Sequence, residues 1–356
     1  MIDDGIEVTI SGKQVDRCKY GENKDQKGAS LFSTQDGPDH TKDPLAMANF
    51  LIQEGSDRSF NNWCDTDRLV ATMAHYATAR WVNELKVAQI IIGVKHGNPC
   101  GAAWCEMDED FAEAARLMMA GHPLAIFGGS VIMNQKCTKE IAQALLIEGK
   151  AQLDTVIAPS FEIDAVNILS RKSGKCRLIV NPALENLHGQ CMDTESVIRP
   201  VRKGFLDQDA YSSVLNFNDP GLAIYGTPYS KYEEALLFGR SINATSNSNT
   251  ITLVKGRQLV GNGAGQQASY IACHLAVWLA RDANHVLHDP GAPVVADSDS
   301  FFPFRDGPQI LIDAGIRAIF ATSGSINDEK IIALCEKHGV TLYMKPDAEM
   351  RGFFGH

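Results

Sequence analysis

The stretch AQIIIGVKHGNPCG, residues 88–101, sets the reading of the fold. Ala88 to Val94 is a short apolar run, rich in β-branched residues and bounded by Lys95 and a Gly/Asn/Pro turn signal. That pattern predicts a buried strand. In open α/β sheets, ligands gather beyond the carboxyl ends of strands, so this strand is expected to deliver KHGNPCG to a functional edge. A histidine such as His96 can move a proton in either direction. Lys95 beside it can stabilise a developing oxyanion. A tight turn carrying an incidental Lys-His pair fits the same residues.

Working outward, Leu69, Met73 and Tyr76 fall at helical spacing and predict a helix over residues 60–85. Asp108-Glu109-Asp110 opens the helix FAEAARLMMA, which stops at Gly121. Thr138 can cap EIAQALLIE, which stops at Gly149. Strands at Val156–Ala158 and Leu178–Val180 enclose a helix over 162–172. This βαβ rhythm predicts parallel sheets covered by helices. Residues 185–245 are irregular, and a lobe boundary is placed there, dividing the chain into 1–200 and 201–356. In the second part TITLVKGRQLVG reads as a hairpin turning at Lys255-Gly256, followed by a helix over 266–284. Strand and helix then alternate from Val294 to Met344, with Asn327 capping the helix NDEKIIALCEKHG.

The chain has 356 residues, a size for two α/β lobes, and its 44% hydrophobic residues can fill a normal core. Its net charge of -10 disfavours general binding to nucleic acid or anionic membrane. Nine cysteines, with no CxxC pair, favour a reducing cytoplasm over a disulfide framework. The N-terminus has no signal pattern and no apolar stretch is long enough for a span. Pro99-Cys100 invites comparison with zinc deaminases, but that chemistry needs HxE upstream and PCxxC. The second cysteine here is Cys105 and no HxE precedes it, so no zinc is expected.

Three further segments carry candidate chemistry. GNGAGQQ, residues 261–267, reads either as a close helix–strand packing turn or as a glycine loop admitting a ligand, with Gln266 and Gln267 reading a heterocycle. In DSFFPFRDG, residues 299–307, Phe301 and Phe304 can form a slot for a flat ring and Asp306 can accept its N–H groups. Phe packing with an Arg305–Asp306 surface pair is the other reading. TSNSNT, residues 245–250, is a polar turn or the mount for Asn249. The tail MRGFFGH is frayed or docked.

Ten segments occur in the order KYGEN, NNWCD, KHGNPCGAA, FGG, DTVIAPSF, SNTITLVK, GNGAGQQ, SFFPFRDG, SGSINDEKII and an aromatic-His terminus. Together they resemble AICAR formyltransferase (AICAR is 5-aminoimidazole-4-carboxamide ribonucleotide), the transformylase domain of the bifunctional purine-biosynthesis enzyme, from about Lys19 to His356. The resemblance implies two cytidine-deaminase-like α/β/α lobes, an internal duplication, without zinc. It implies catalytic roles for Lys95, His96 and Asn249. Lys19, Tyr20, Asn62, Lys172, Phe301 and Arg351 would bind the nucleotide. Phe127, Gly128, Asp154, Gln266, Gln267, Phe304 and Asp306 would bind 10-formyltetrahydrofolate. A monovalent cation such as K+ would sit near Ser246, Ser248 and Asp299. Family members are homodimers with interfacial active sites. The sequence departs from the family's RYGxNPHQ at Lys19, Lys24 and Asp25, and has Ser269 where an Arg is common. No cyclohydrolase half is recognised, so a separate enzyme is expected to close the ring to inosinate. A related transferase with a changed amine substrate and a non-catalytic nucleotide-binding protein are the competing expectations.

Overall fold

The computed structural model describes residues 8–35, 38–39 and 41–354; His356 of the aromatic-His tail lies outside them. An antiparallel hairpin, β1 (Lys13–Arg17) and β2 (Ser30–Ser33), precedes β3 (Leu51–Glu54). Then follow α1 (Phe60–Val82), β4 (Gln89–Lys95), β5 (Asn98–Cys105), α2 (Phe111–Gly121) and β6 (Ser130–Met133). The first half closes with α3 (Lys139–Ala144), β7 (Thr155–Ala158), α4 (Ile163–Leu169) and β8 (Arg177–Val180). A second hairpin, β9 (Val197–Val201) and β10 (Gly204–Gln208), stands apart from the main sheet. The second half comprises β11 (Ala223–Tyr225), α5 (Ser230–Asn243), β12 (Ile251–Lys255), β13 (Gln258–Gly263) and α6 (Ser269–Asp282). It ends with β14 (Val294–Ser298), α7 (Asp306–Asp313), β15 (Ala318–Ser323), α8 (Asp328–Lys337), β16 (Thr341–Pro346) and α9 (Asp347–Met350).

Among the described residues one 12-stranded sheet runs β11-β16-β15-β14-β12-β13-β5-β4-β6-β7-β8-β3. Read outward from the β13–β5 join, both halves show the same pairing senses. Each has an antiparallel central hairpin, an antiparallel step to the next strand, two parallel steps and an antiparallel edge. The sheet is therefore mixed, not parallel throughout. The difference arises at NPCGAAWC, whose Asn, Pro and Gly read as a turn but which forms strand β5. Pro99 pairs with Val94 where the register shifts, a place in a ladder that tolerates a residue lacking N–H. EIAQALLIE is likewise shorter than expected, since α3 stops at Ala144 and Ile147 bridges Lys150.

Alternation along β4 explains its continuous apolar run. Ile90, Ile92 and Val94 join a core shared by Leu69, Met73 and Tyr76 of α1 and Leu236 and Phe238 of α5. Ile91 points the other way, into the core beneath α2. Both faces are covered, so no polar alternation survives. A third core, with Cys273, Ala276 and Phe302, lies under α6 and α7. The central core spans both halves, and Tyr76 meets Phe238 edge-on at 4.9 Å between α1 and α5. All nine cysteines are free. No helix among the described residues is long and apolar enough to cross a membrane.

Candidate functional site

His96-Gly97 is the two-residue turn of the β4–β5 hairpin, with Lys95 paired to Asn98. Both turn residues have positive φ, 52° and 72°. Hairpins favour that backbone because its twist matches the strands, and the second position is a natural place for Gly. The turn lifts the exposed His96 side chain off the sheet edge. That edge differs from the expected one. Val94 pairs with Ser130, Ser130 with Thr155 and Thr155 with Arg177, so in the first half the site lies at the amino ends of the parallel strands. In the second half the same edge carries their carboxyl ends, because Ile251 pairs with Ser298. The antiparallel join of β5 and β13 reverses one half relative to the other.

Around the hairpin, Lys95 Nζ donates to the Phe127 carbonyl and lies 5.8 Å from the Phe127 ring centroid. Gly128 lies against the same ammonium, with nothing larger between. Phe127 itself is 50% exposed. Asp154 follows, its N–H on the Gly129 carbonyl and its Oδ1 3.0 Å from Arg171 Nη1. From behind, Asp65 of α1 holds the turn. Its Oδ1 accepts the Gly97 N–H at 3.0 Å and its Oδ2 accepts the Ser130 hydroxyl at 3.0 Å. Burial pushes the Asp65 carboxyl up, opposed by those two hydrogen bonds and by the charges of His96 and Arg68.

The second half supplies Asn249, joined to Gln266 by reciprocal backbone hydrogen bonds of 2.9 and 3.0 Å, with Nδ2 donating to the same Gln266 carbonyl at 2.9 Å. The Ser248–Asn249 peptide is cis. Ser248 Oγ donates to Asp299 Oδ2 at 2.5 Å. Asp299 is fully buried, its carboxyl is pushed up by that burial, and its Oδ1 has no hydrogen-bond partner among the described residues. Ser246 Oγ donates to the Ile242 carbonyl and accepts from Asn262 Nδ2 at 3.2 Å. No group of three or more His, Cys, Asp or Glu among the described residues is placed to hold a metal.

Two side chains tie the halves together. Asn262 Nδ2 bonds both Ser246 and the Pro99 carbonyl, the latter at 3.1 Å, linking the hairpin to the Ser/Asn turn. Arg68 donates to the Thr245 carbonyl and stacks 3.7 Å from the Phe354 ring centroid. Burial lowers its pKa to about 10. The tail is thus docked, with Gly352 N on Asp299 O and Phe354 N on Ser246 O. Arg351 lies over Phe301 at 5.5 Å and pairs with Asp347.

The remaining candidates divide by place. Phe304 is 63% exposed, and Asp306 at the start of α7 and Gln267 just before α6 are exposed as well. Asp306 Oδ1 accepts the Gly307 N–H at 2.8 Å. Phe302, between the two slot candidates, is core. In GNGAGQQ the packing reading holds for two glycines: a Cβ on Gly261 or Gly263 would strike the Ala276 or Ala272 carbonyl of α6 at 2.4 or 2.2 Å. Lys19, Tyr20, Asn62 and Lys172 gather at the start of α1. Lys19 N bonds Arg58 O, Phe60 N bonds Tyr20 O, and the Lys172 turn reaches the same segment through Gly174 O and Ser56 N. Asn62 is buried in a capping box with Ser59, its Nδ2 3.4 Å from Thr155 Oγ1. Among the described residues no hydrogen bond or ion pair joins Lys19 or Lys172 to Arg351 or to the Asn249 turn. A cavity of about 1060 Å3 lies elsewhere, between residues 31–35, 41–48 and the 183–195 stretch, and holds none of the candidates.

Sequence reading missed Asp65, Arg68 and Asn262. Asp65 and Arg68 stand three apart on one helix face, a spacing that pairs charges, and Asn262 lies inside a segment valued for its glycines. Similar proteins agree with the ordered segments. The chain is 33% identical over 345 residues to the bifunctional purine biosynthesis protein PurH of Cutibacterium acnes, covering 96% of this chain and 59% of that protein. It is 29% identical over 341 residues to PurH of Magnetococcus marinus, covering 94% and 59%. The PurH of Aquifex aeolicus is 28% identical over 338 residues, covering 95% and 60%. The chain therefore spans about three fifths of the length of these relatives. The sequence model of the AICARFT/IMPCHase bienzyme matches residues 3–278, all the strands of the first half of the sheet and β11, β12 and β13 of the second, and by that match the chain belongs to the AICARFT/IMPCHase family.

Proposed function

We propose that this chain transfers the formyl group of 10-formyltetrahydrofolate to the 5-amino group of AICAR, giving formyl-AICAR in purine biosynthesis. The observation that carries the reading is the single sheet edge on which Lys95, His96 and the Asn249 turn are tied together by Asn262, in a member of this family. The amine nitrogen attacks the formyl carbon, the bond from that carbon to N10 of the folate breaks, and the amine proton ends on N10. The amine is conjugated with the neighbouring carboxamide and nucleophilically weak, so positioning and proton transfer must both help. His96 takes the amine proton, Lys95 turns from the Phe127 carbonyl to the developing oxyanion, and Asn249 orients the acceptor.

In this reading Lys19, Tyr20, Asn62, Lys172, Phe301 and Arg351 hold the nucleotide. Phe127, Gly128, Asp154, Gln266, Gln267, Phe304 and Asp306 hold the folate. A potassium ion at Asp299, Ser246 and Ser248 would balance the unpartnered carboxylate oxygen. Residues 1–200 and 201–356 act as two lobes, and their matching pairing patterns support an internal duplication. A homodimer with active sites at the subunit interface is part of this reading; light scattering in solution tests it. Free thiols throughout support a reducing cytoplasm.

The test is purified protein with 10-formyltetrahydrofolate and AICAR, followed by tetrahydrofolate release. Release with AICAR is expected. Release only with another amine would replace the substrate, and saturable nucleotide binding without release would leave a binding protein.

A further inference from the structure

Asp65 lies on the second turn of α1, behind the sheet edge that carries His96. Each of its carboxylate oxygens has one partner, and the two partners come from different strands' ends: the Gly97 N–H of the hairpin turn and the Ser130 hydroxyl at the start of β6. The Gly97 N–H belongs to the peptide that follows His96. Fixing that peptide fixes the direction in which the His96 Cα–Cβ bond leaves the turn. The need is physical. His96 has φ 52°, a backbone that a side-chain-bearing residue adopts at a cost, and its side chain is exposed with no hydrogen bond of its own among the described residues. Without an anchor the turn could exchange conformers and carry the imidazole with it. A charge-assisted hydrogen bond from a rigid helix removes that freedom.

We propose that Asp65 is a positioning residue that holds the His96 imidazole at the reacting centre through the Gly97 N–H. This rests on the reading of His96 as the proton-transfer group, and the test separates the two. Asp65→Ala removes both bonds, whereas Asp65→Asn keeps an oxygen acceptor for Gly97 and an amide donor for Ser130. In formyl transfer, Asp65→Ala is expected to lower kcat about 10- to 100-fold with both KM values within about threefold, the size of effect a small misplacement causes. Asp65→Asn should recover most of kcat. In glycine-labelled protein the Gly97 amide should exchange with solvent faster in Asp65→Ala and stay protected in Asp65→Asn. Thermal melts establish that each variant is folded. If Asp65→Ala does not fold, Ser130→Ala, which removes only the second anchor, should give a smaller loss of the same kind.

Wild-type kcat in folded Asp65→Ala overturns the proposal. So does an Asp65→Asn variant as slow as Asp65→Ala, because the negative charge and not the turn anchor would then matter. Unchanged Gly97 exchange in Asp65→Ala overturns it whatever the turnover. Absence of turnover in the wild-type protein, with Gly97 exchange responding as expected, would instead sink the catalytic reading and leave the anchor standing.

Discussion

At the scale of residues, the proposed chemistry rests on few side chains held by many. His96 stands free on its turn while Lys95, Asn249 and Asp299 are each engaged by neighbours. General acid–base help is worth about 10²–10⁴-fold. His96→Ala is therefore expected to cut turnover by that order in steady-state assays while calorimetry still registers nucleotide binding, since four of the residues proposed to hold the nucleotide, Lys19, Tyr20, Asn62 and Lys172, gather elsewhere, at the start of α1. Near-normal turnover would remove His96 from the mechanism. Asp65 was invisible in sequence for a plain reason. An aspartate on a polar helix start reads as a solvated charge until the hairpin turn is known to lie behind it.

At the scale of elements, the interface between α1 and α5 carries a pH dependence. His75 is buried, with Nδ1 3.0 Å from Ser241 Oγ and Nε2 3.1 Å from the Ser213 carbonyl. Burial, aided by the nearby Arg240 charge, lowers its pKa from 6.5 to about 4. A depressed folded-state value contributes stability above pH 6.5, where both states are neutral, and that contribution is lost as pH falls toward 4, where the unfolded chain alone takes the proton. The loss is on the order of 3 kcal/mol. Urea unfolding at pH 7 and pH 4.5 should register it, and His75→Gln should flatten the difference. A wild-type profile as flat as the variant's would contradict the burial argument. Glycines set the helix–strand distances. A Cβ at Gly101 would lie 2.2 Å from the Met118 carbonyl of α2, and the same device recurs at Gly261 and Gly263 under α6. Gly101→Ala must push backbone against backbone, and overpacking of this kind costs about 1–3 kcal/mol. A thermal melt unchanged by the substitution would show that α2 yields freely.

At the scale of the whole molecule, the halves are joined by more than a shared core. Asn262 reaches both Pro99 and Ser246, and its Oδ1 accepts from Thr252 Oγ1 at 2.9 Å. Asn262→Ala leaves buried groups unsatisfied, at about 1–3 kcal/mol. The expected result is lower stability in urea together with a lower kcat, since both the hairpin and the Ser/Asn turn lose a common tether. A stability loss with full kcat would mean that the two segments keep their places independently. Buried Arg240 closes the second half. It lies 3.3 Å from Asp297, donates to the Ser298 carbonyl and Tyr211, and also reaches the Met350 carbonyl, so the tail is bound to the sheet from beneath.

The sequence by itself determined the class and most of the elements. Apolar runs of strand length, helices with legible caps and the β12–β13 hairpin, whose turn falls at 256–257 rather than at 255–256, follow from local spacing and turn chemistry, which need no neighbours to act. The ordered segments also pointed to the family. Only the tertiary structure decided that NPCG continues as a strand, because pairing with β4 outweighed the local turn preference of its Asn, Pro and Gly. It alone decided which strand ends form the site. The antiparallel join of β5 and β13 turns one half around, so amino ends of one meet carboxyl ends of the other. And it alone chose the supports of KHGNPCG: Asp65, Arg68 and Asn262 acquire their roles from contacts with residues far along the chain, which no local pattern encodes.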